Sequence, residues 1–160
     1  MALLSPVATP AGGGEFTLYL VRHAEKALDG TADPELTEEG RARAARLAQW
    51  LEGRGLQAIW SSDYRRTRQT VQPTAERLGL PIRTYDPGAQ EAFAVTLLAE
   101  RHTALIAGHS NTLPELARDL CGCEVSDIPD TDYERLFVVQ VGPGGIEFQN
   151  LDQSKLMPKS

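Results

Sequence analysis

The sequence predicts a single three-layer α/β domain, with a mostly parallel central sheet, helices on both faces and a C-terminal β-hairpin at the sheet edge. Short apolar segments of strand length alternate with longer segments in which apolar residues recur at helical spacing. Two of the strand-like segments end in a histidine with further polar residues, a pattern typical of the ligand-binding edge of open α/β sheets. A chain of 160 residues buries roughly two thirds of its unfolded surface, so one domain is sufficient.

The first predicted strand lies in residues 16–26, whose sequence is Phe-Thr-Leu-Tyr-Leu-Val-Arg-His-Ala-Glu-Lys. Its apolar and β-branched residues indicate a buried strand, which ends by bringing Arg22 and His23 into polar surroundings. This pair puts a fixed positive charge beside a group that can act as a nucleophile or a base.

The elements that follow keep the alternation of strand and helix. Thr37 is the expected N-cap of the first helix, because Glu38 and Glu39 in the next turn suit the positive end of the helix dipole, and this helix ends near Gly53 or Gly55. The other predicted elements are a strand at 57–60, capping residues at 61–63, a helix at 64–78, a strand at 80–85, a helix at 91–100, a strand at 103–107, a helix at 113–120 and a hairpin of strands at 135–141 and 145–151.

Three arginines, Arg65, Arg66 and Arg68, open the second helix, where positive charges oppose the helix dipole. We therefore expect an anionic group nearby that offsets this cost. His109 follows the fourth strand as His23 follows the first. If these strands are parallel neighbours, the arginines and both histidines converge at one edge of the sheet.

Two guanidinium groups and two imidazoles around one cavity fit a phosphoryl group. Arginine binds phosphate oxygens through paired hydrogen bonds, and a neutral imidazole can attack phosphorus. The positive charges stabilise the transition-state oxygens and lower the pKa of the histidines, which favours their neutral form. This chemistry requires no metal ion and no cofactor.

Three stretches resemble the motifs of the histidine phosphatase superfamily, the phosphoglycerate-mutase-like proteins. Leu-Val-Arg-His-Ala-Glu-Lys at 20–26 resembles the Arg-His signature of that family, and Ser-Ser-Asp-Tyr-Arg-Arg-Thr-Arg-Gln-Thr at 61–70 resembles its second motif. Gly-His-Ser at 108–110 is similar to its third motif. The order and spacing agree across residues 16–120, and three matching motifs are far more specific than one.

The resemblance implies a role for each matching residue. His23 would be the nucleophile that forms a phosphohistidine, while Arg22, Arg66 and His109 would bind the phosphoryl oxygens. Ser110, in the third motif, is a further candidate phosphate-binding residue.

The sequence departs from the family pattern at the general acid. Family members that hydrolyse ordinary alcohol esters, and the mutases, have a Glu or Asp after the third strand and a long lid before the second histidine. Here only 42 residues, positions 67–108, separate Arg66 from His109, and a strand and a short helix occupy most of them. The candidates for the proton donor are Asp86, Glu91, Glu25 and water.

The absence of a lid favours a phosphatase, because a mutase must keep water away from its phosphohistidine. Without a strong acid, the preferred leaving group departs easily, such as the imidazole of a phosphohistidine, an acyl phosphate or an activated aryl phosphate. The small phosphohistidine phosphatases of bacteria resemble this layout, so the expected partner is a phosphohistidine protein or a phosphorylated small molecule. The alternatives are a catalytically idle phosphate-binding regulatory module and, less favoured, a phosphoglycerate-type mutase.

Composition and termini restrict the other possibilities. The formal net charge of −6 argues against nucleic acid as a partner, and no apolar run approaches the about 18 residues of a membrane span. Cys121 and Cys123 are too close for an ordinary disulfide framework, which indicates a reducing compartment and a cytoplasmic location. The predicted organisation is a flexible leader at 1–15, the α/β domain at 16–151 and a C-terminal tail at 152–160.

Overall fold

A six-stranded mixed sheet forms the centre of the protein in a computed structural model, which describes residues 14–157. The elements are β1 (Phe16–Arg22), α1 (Glu38–Leu51), β2 (Ala58–Ser62), α2 (Arg65–Leu78), β3 (Ile82–Tyr85), α3 (Gln90–Glu100), β4 (Ala104–Gly108), α4 (Leu113–Cys121), β5 (Arg135–Gly142), β6 (Gly145–Asp152) and α5 (Gln153–Leu156). The strand order is β3-β2-β4-β1-β5-β6. The first four strands are parallel, whereas β5 and β6 form an antiparallel hairpin beside β1, so the predicted fold class is confirmed.

Helices cover both faces of the sheet. On one face lie α1 and α2, and Leu47 of α1 and Val71 of α2 lie in a buried cluster with Tyr19 of β1. On the other face lie α3 and α4, and Leu116 of α4 lies in a second buried cluster with Leu18 of β1. Because successive strand residues point to opposite faces, a strand covered on both sides is apolar nearly throughout, as β1 is. None of the helices within residues 14–157 is long and apolar enough to cross a membrane.

The central position of β4 brings three chain segments to one edge of the sheet. Its neighbours are β1, in which Arg22 lies opposite Gly108, and β2, in which Ser61 lies opposite Ala107. The parallel pairing continues past the end of β1, since the backbone N–H of His23 donates to the Gly108 carbonyl at 2.8 Å. The residues that follow β1, β2 and β4 therefore meet at their carboxyl ends.

The start of α2 differs from the prediction. Residues 61–63 do not cap the helix, because the first two of them form the buried end of β2, and the N-cap residue Tyr64 makes no side-chain capping bond. The negative charge expected near the arginines of α2 comes from the loop between β1 and α1. The Asp33 carboxylate accepts from the Arg65 backbone N–H at 3.0 Å, and Glu35 forms an ion pair with the Arg65 side chain at 2.7 Å.

The prediction that Cys121 and Cys123 are too close for a disulfide is wrong, because the two residues form one with each other. Gly122 between them adopts the left-handed conformation with φ 63° at the end of α4, and the two cysteine Cα atoms lie 5.2 Å apart, a separation that a disulfide spans. The two cysteines therefore no longer support a reducing compartment or a cytoplasmic location.

The predicted C-terminal tail starts at residue 152, next to the short helix α5. The side chain of Asp152 accepts from the Ser154 backbone N–H at 2.9 Å and caps α5. Gln153 and Met157 are buried, so this segment belongs to the packed domain. Residues 1–13 of the predicted leader and 158–160 of the predicted tail lie outside the described residues.

Substitution of Gly40 tests how closely α1 approaches the end of the Arg-His segment. A Cβ atom at Gly40 would lie 2.3 Å from the carbonyl oxygen of Glu25, a backbone atom that cannot turn aside. We expect Gly40→Ala to lower the free energy of unfolding by about 1–3 kcal/mol, although alanine is otherwise favoured within helices by about 1 kcal/mol. Urea denaturation measures the change. Gly144→Ala is the control because its Cβ would meet open space, and equal losses in both variants would contradict the packing argument.

Candidate active site

The four side chains predicted to be catalytic lie together at the carboxyl edge of the sheet. Arg22 ends β1 and His23 follows it, Arg66 lies in the first turn of α2, and His109 follows β4. The ring centroids of the two histidines are 5.5 Å apart. Arg22, His23 and His109 are buried, so their charges and protonation depend strongly on their immediate surroundings.

The Nε2 atom of His23 has no hydrogen-bond partner among residues 14–157, which leaves it available as a nucleophile. Its Nδ1 lies 2.8 Å from the carbonyl oxygen of Ala24, and because a carbonyl only accepts, Nδ1 carries the proton of the neutral ring. The pKa of His23 is lowered to about 3, mainly by burial and also by the charges of Arg22 and Arg66, against the opposing hydrogen bond to Ala24. Burial, more than the arginines named in the sequence prediction, therefore keeps this imidazole neutral.

Arg22 is held by backbone carbonyls of the loop that precedes β5. Its Nη1 donates to the carbonyl oxygens of Asp130 and Asp132, at 2.7 Å and 3.0 Å. Its guanidinium carbon lies 3.9 Å from the centroid of the Tyr133 ring. The Nε atom is buried and has no hydrogen-bond partner among residues 14–157, so this donor is available to an anionic ligand.

Arg66 supplies the second guanidinium group. Its side chain is 14% exposed and its Nη1 lies 4.0 Å from the Asp33 carboxylate. The guanidinium carbon is 4.7 Å from the centroid of the Tyr64 ring. As in Arg22, the buried Nε has no partner in the described part of the chain. Two unpaired buried guanidinium donors at one edge fit the oxygens of a phosphoryl group.

His109 lies between two side chains from the second motif. Its Nε2 is 2.8 Å from the hydroxyl oxygen of Ser62, and its ring meets the Tyr64 ring edge to face at 5.1 Å. Burial lowers the pKa of His109 to about 4, with further contributions from the positive charges of Arg66, Arg22 and Lys26. The second imidazole is thus also neutral near pH 7.

Ser110 stands next to His109, but its hydroxyl is already engaged. It donates to Oδ1 of Asp130 at 3.2 Å. This bond connects the third motif with the loop whose carbonyls hold Arg22.

Glu25, one of the candidate proton donors, is an ionised anchor. Arg43 of α1 donates to both of its carboxylate oxygens, at 2.9 Å and 2.8 Å, and to both oxygens of Glu134 at 3.0 Å. Burial would raise the pKa of Glu25, but the hydrogen bonds and charge of Arg43 outweigh it and lower the pKa. A carboxyl group in this state is poorly suited to donate a proton.

Neither of the other two candidate carboxylates forms a hydrogen bond with His23 or His109. Asp86 is exposed and accepts from the Gly88 backbone N–H at 2.8 Å within its own turn. Glu91 is exposed in a groove between α3 and α4 that Glu115 and Asp119 also line. Among residues 14–157, no carboxylate forms a hydrogen bond with His23 or His109.

Three side chains of this site are not among the residues predicted from the sequence. Ser62 and Tyr64 lie within the second motif, so the motif itself is a signal for both. The prediction of a helix cap at residues 61–63 assigns Ser62 a different role. Tyr133 carries no motif signal. Its ring lies 6.1 Å from that of His23 and beneath Arg22, and only the packing of the loop before β5 against β1 places it there.

The arrangement can bind a tetrahedral anion and present a nucleophile to its centre. Two positive side chains with unpaired donors flank two neutral imidazoles, and one imidazole has a free Nε2. Within the described ranges, no three His, Cys, Asp or Glu side chains group as metal ligands.

Comparison with known proteins supports the same family. The sequence model of the histidine phosphatase superfamily (branch 1) matches residues 18–94. A curated protein from Cronobacter sakazakii named "Probable phosphoglycerate mutase GpmB" is 34% identical over 91 residues, which cover 53% of this chain and 41% of that protein. This chain therefore spans about two fifths of the length of that relative.

Solved structures show the same fold over nearly the whole chain. The protein histidine phosphatase SixA complexed with tungstate superposes with a TM-score of 0.73 at 22% identity, covering 88% of this chain and 99% of SixA. A mycobacterial glucosyl-3-phosphoglycerate phosphatase has a TM-score of 0.64 at 16% identity, covering 86% of this chain and 98% of that protein. These likenesses show that the chain shares its fold with SixA, and the sequence match over residues 18–94 agrees with the predicted resemblance to the superfamily.

Removal of Arg43 should destabilise the loops that border the site. Its side chain is 7% exposed and that of Glu25 is 16% exposed, so Arg43→Ala leaves carboxylates without their partner in a poorly solvated place. We expect a loss of about 3 kcal/mol in the free energy of unfolding near pH 7, measured by urea denaturation. Arg41→Ala is the matched control on the same helix, because its side chain is 55% exposed and its ion pair with Glu35 should contribute at most about 0.5 kcal/mol. Equal losses in the two variants would refute the role of Arg43.

The same pair gives a pH dependence of stability. Because the pKa of Glu25 is lowered in the folded protein, its stabilisation is complete above the unfolded value of about 4.3 and is lost as the pH falls through the folded value. The difference in unfolding free energy between the wild type and Arg43→Ala should therefore shrink below about pH 4. A difference that stays constant to lower pH would contradict this linkage.

Neither His23 nor His109 should titrate between about pH 5 and pH 8. Their pKa values of about 3 and about 4 leave both rings neutral across this range. Because unfolded histidines take up protons below about pH 6.5, these two residues should also make stability fall as the pH decreases. NMR titration of the ring Cε1–H signals, assigned with His23→Ala and His109→Ala, measures this. A midpoint near 6.5 for either residue would show that the site is more hydrated than the structure indicates.

Proposed function

We propose that this chain, which has the motifs and the fold of the histidine phosphatase superfamily in its small SixA-like form, is a metal-independent phosphatase. It hydrolyses phosphomonoesters or protein phosphohistidine through a covalent phosphate on His23. The observation that carries the proposal is the free Nε2 of a neutral, buried His23 beside two guanidinium groups with unpaired buried Nε donors. A nucleophile and anion-binding groups in this proximity are what phosphoryl transfer requires.

The reaction takes place in two steps. In the first, the lone pair of His23 Nε2 attacks phosphorus, and the bond to the leaving group breaks with its electron pair going to the leaving atom. Arg22, Arg66 and His109 bind the non-bridging oxygens and stabilise their charge. In the second step, water attacks phosphorus and gives up a proton to solvent, the phosphorus–nitrogen bond breaks, and inorganic phosphate and neutral His23 are released.

The leaving group is one that departs without a strong acid. Glu25 is ionised by Arg43, and Asp86 and Glu91 form no hydrogen bond with either histidine, so water is the remaining proton donor of the four candidates. The imidazole of a phosphohistidine and activated aryl or acyl phosphates meet this condition. The structural neighbour named as a protein histidine phosphatase supports a phosphohistidine protein as the partner, with a phosphorylated small molecule as the alternative.

Two observations favour other functions. The name of the curated relative points to a phosphoglycerate mutase, but this chain covers 41% of that protein and has only 42 residues, positions 67–108, between Arg66 and His109. The missing carboxylic acid favours a catalytically idle module that binds a phosphorylated partner. Such a module would bind phosphate and vanadate without hydrolysing even an activated aryl phosphate.

Substitution of the nucleophile tests the covalent mechanism. We expect His23→Ala to lower the hydrolysis of an activated aryl phosphate in the presence of a chelator by at least about a thousandfold. Acid-labile, base-stable phosphate should be trapped on the wild type and absent from the variant. His102→Ala is the control, because this histidine lies outside the three motifs and its side chain is 45% exposed. Turnover retained in His23→Ala would refute the mechanism, and phosphate binding without turnover in the wild type would favour the idle module.

The dependence of rate on leaving group tests the absence of a general acid. Across a series of aryl phosphates, the rate constant for formation of the phosphohistidine should fall steeply as the pKa of the leaving phenol rises, because no described carboxyl group forms a hydrogen bond with His23 or His109. Rapid-quench kinetics measures this first step. A nearly flat dependence would reveal a proton donor that the contacts of His23 and His109 do not include.

A further inference from the structure

Ser62 and His109 are brought together by neighbouring parallel strands. Ser62 is the last residue of β2 and is fully buried, and His109 directly follows β4. The Ser62 hydroxyl oxygen lies 2.8 Å from His109 Nε2 and has no other hydrogen-bond partner among residues 14–157. This contact connects a residue with no role in the proposed chemistry to one of the four side chains at the centre of the site.

The residues around this pair leave the ring of His109 little freedom. The carbonyl of Ser62 accepts from the Ser61 hydroxyl at 2.7 Å and from the Tyr64 backbone N–H at 2.9 Å, which fixes the serine backbone. The carbonyl of His109 accepts from the N–H of Leu113 at 2.9 Å, at the start of α4. With both backbones held, the hydroxyl–imidazole bond sets the orientation of the ring.

The direction of this hydrogen bond follows from the burial of the serine. If Nε2 carried the imidazole proton and donated it, the Ser62 hydroxyl hydrogen would have no acceptor among the described residues in a fully buried position. If the hydroxyl donates instead, both groups are satisfied and the proton of the neutral ring lies on Nδ1. The second arrangement avoids an unpaired buried donor and is therefore favoured.

We infer that Ser62 is a positioning residue that holds His109 in the tautomer with a proton on Nδ1, so that Nδ1 can donate to a phosphoryl oxygen. This inference rests on the proposed function, in which His109 binds phosphate. A phosphoryl oxygen only accepts hydrogen bonds, so a protonated Nδ1 attracts it, whereas a lone pair at Nδ1 would repel it. His109 Nδ1 forms no hydrogen bond with any residue of the described chain and is free for this role.

The tautomer can be read directly by NMR of the full-length protein. The chain has three histidines, so ¹⁵N-histidine labelling and long-range ¹H–¹⁵N correlation near neutral pH give a simple spectrum in which protonated and unprotonated ring nitrogens differ clearly. We expect the wild type to show His109 protonated at Nδ1. Ser62→Ala should give a mixture of tautomers and weaken the binding of inorganic phosphate about tenfold, and Ser62→Thr, which keeps the hydroxyl, should restore both.

Ser61→Ala is the matched control. Ser61 is equally buried and one residue away, but its hydroxyl bonds to a backbone carbonyl, so its loss should leave the His109 tautomer unchanged. A wild-type His109 protonated at Nε2 would overturn the inference, even if Ser62→Ala failed to fold. A Ser62→Ala spectrum and phosphate affinity equal to those of Ser61→Ala would also overturn it. A wild type that shows the Nδ1 proton but binds no inorganic phosphate would support the tautomer and refute the proposed function.

Discussion

The site depends on the burial of ionisable side chains at the point where β1 and β4 end side by side. Burial is the main cause of the lowered pKa values of His23 and His109, and it converts two groups that would be partly charged in water into neutral imidazoles. The same burial makes each guanidinium group require partners. Two backbone carbonyls accept hydrogen bonds from Arg22. The Nε atoms of Arg22 and Arg66 have no partner among residues 14–157, and an anion could accept hydrogen bonds from them. The low exposure of the edge therefore accounts for both the nucleophile and the anion-binding groups.

The loop before β5 completes this edge from the antiparallel side of the sheet. Its carbonyls hold Arg22, its Asp130 carboxylate accepts from Ser110, and the Tyr133 ring lies beneath the Arg22 guanidinium. Glu134, the next residue, is anchored by Arg43, which also anchors Glu25 two residues after the nucleophile. The buried Arg43 therefore connects the segment that follows Arg22 in the chain with the loop whose carbonyls hold the Arg22 side chain. This also explains why Glu25 is unsuited to donate a proton, since its charge balances Arg43.

The motif strands and their places along the chain could be predicted from the sequence because their signals are local. The apolar run of β1, the helical spacing of Leu47 and Leu51, and the Thr37 cap each depend on residues close in the chain. Predictions about the partners of polar side chains were less successful. Ser62 is a residue type that often caps helices, but here it ends a strand. Its hydroxyl forms a hydrogen bond with His109, which is 47 residues away in the chain. The spacing of Cys121 and Cys123 argues against a disulfide, whereas the left-handed backbone at Gly122 brings the two cysteines close enough to form one.

By itself, the sequence determined the α/β fold class, the alternation of elements and the four residues that lie together at the edge of the sheet. This was possible because apolar periodicity and motif spacing are properties of short stretches of sequence. The tertiary structure alone decided which groups surround them. It placed Tyr133 beneath Arg22, removed Glu25 from the candidate acids by pairing it with Arg43, and paired Ser62 with His109. The physical reason is that hydrogen bonding and desolvation depend on which distant segments are buried against one another, and a local pattern does not contain that information.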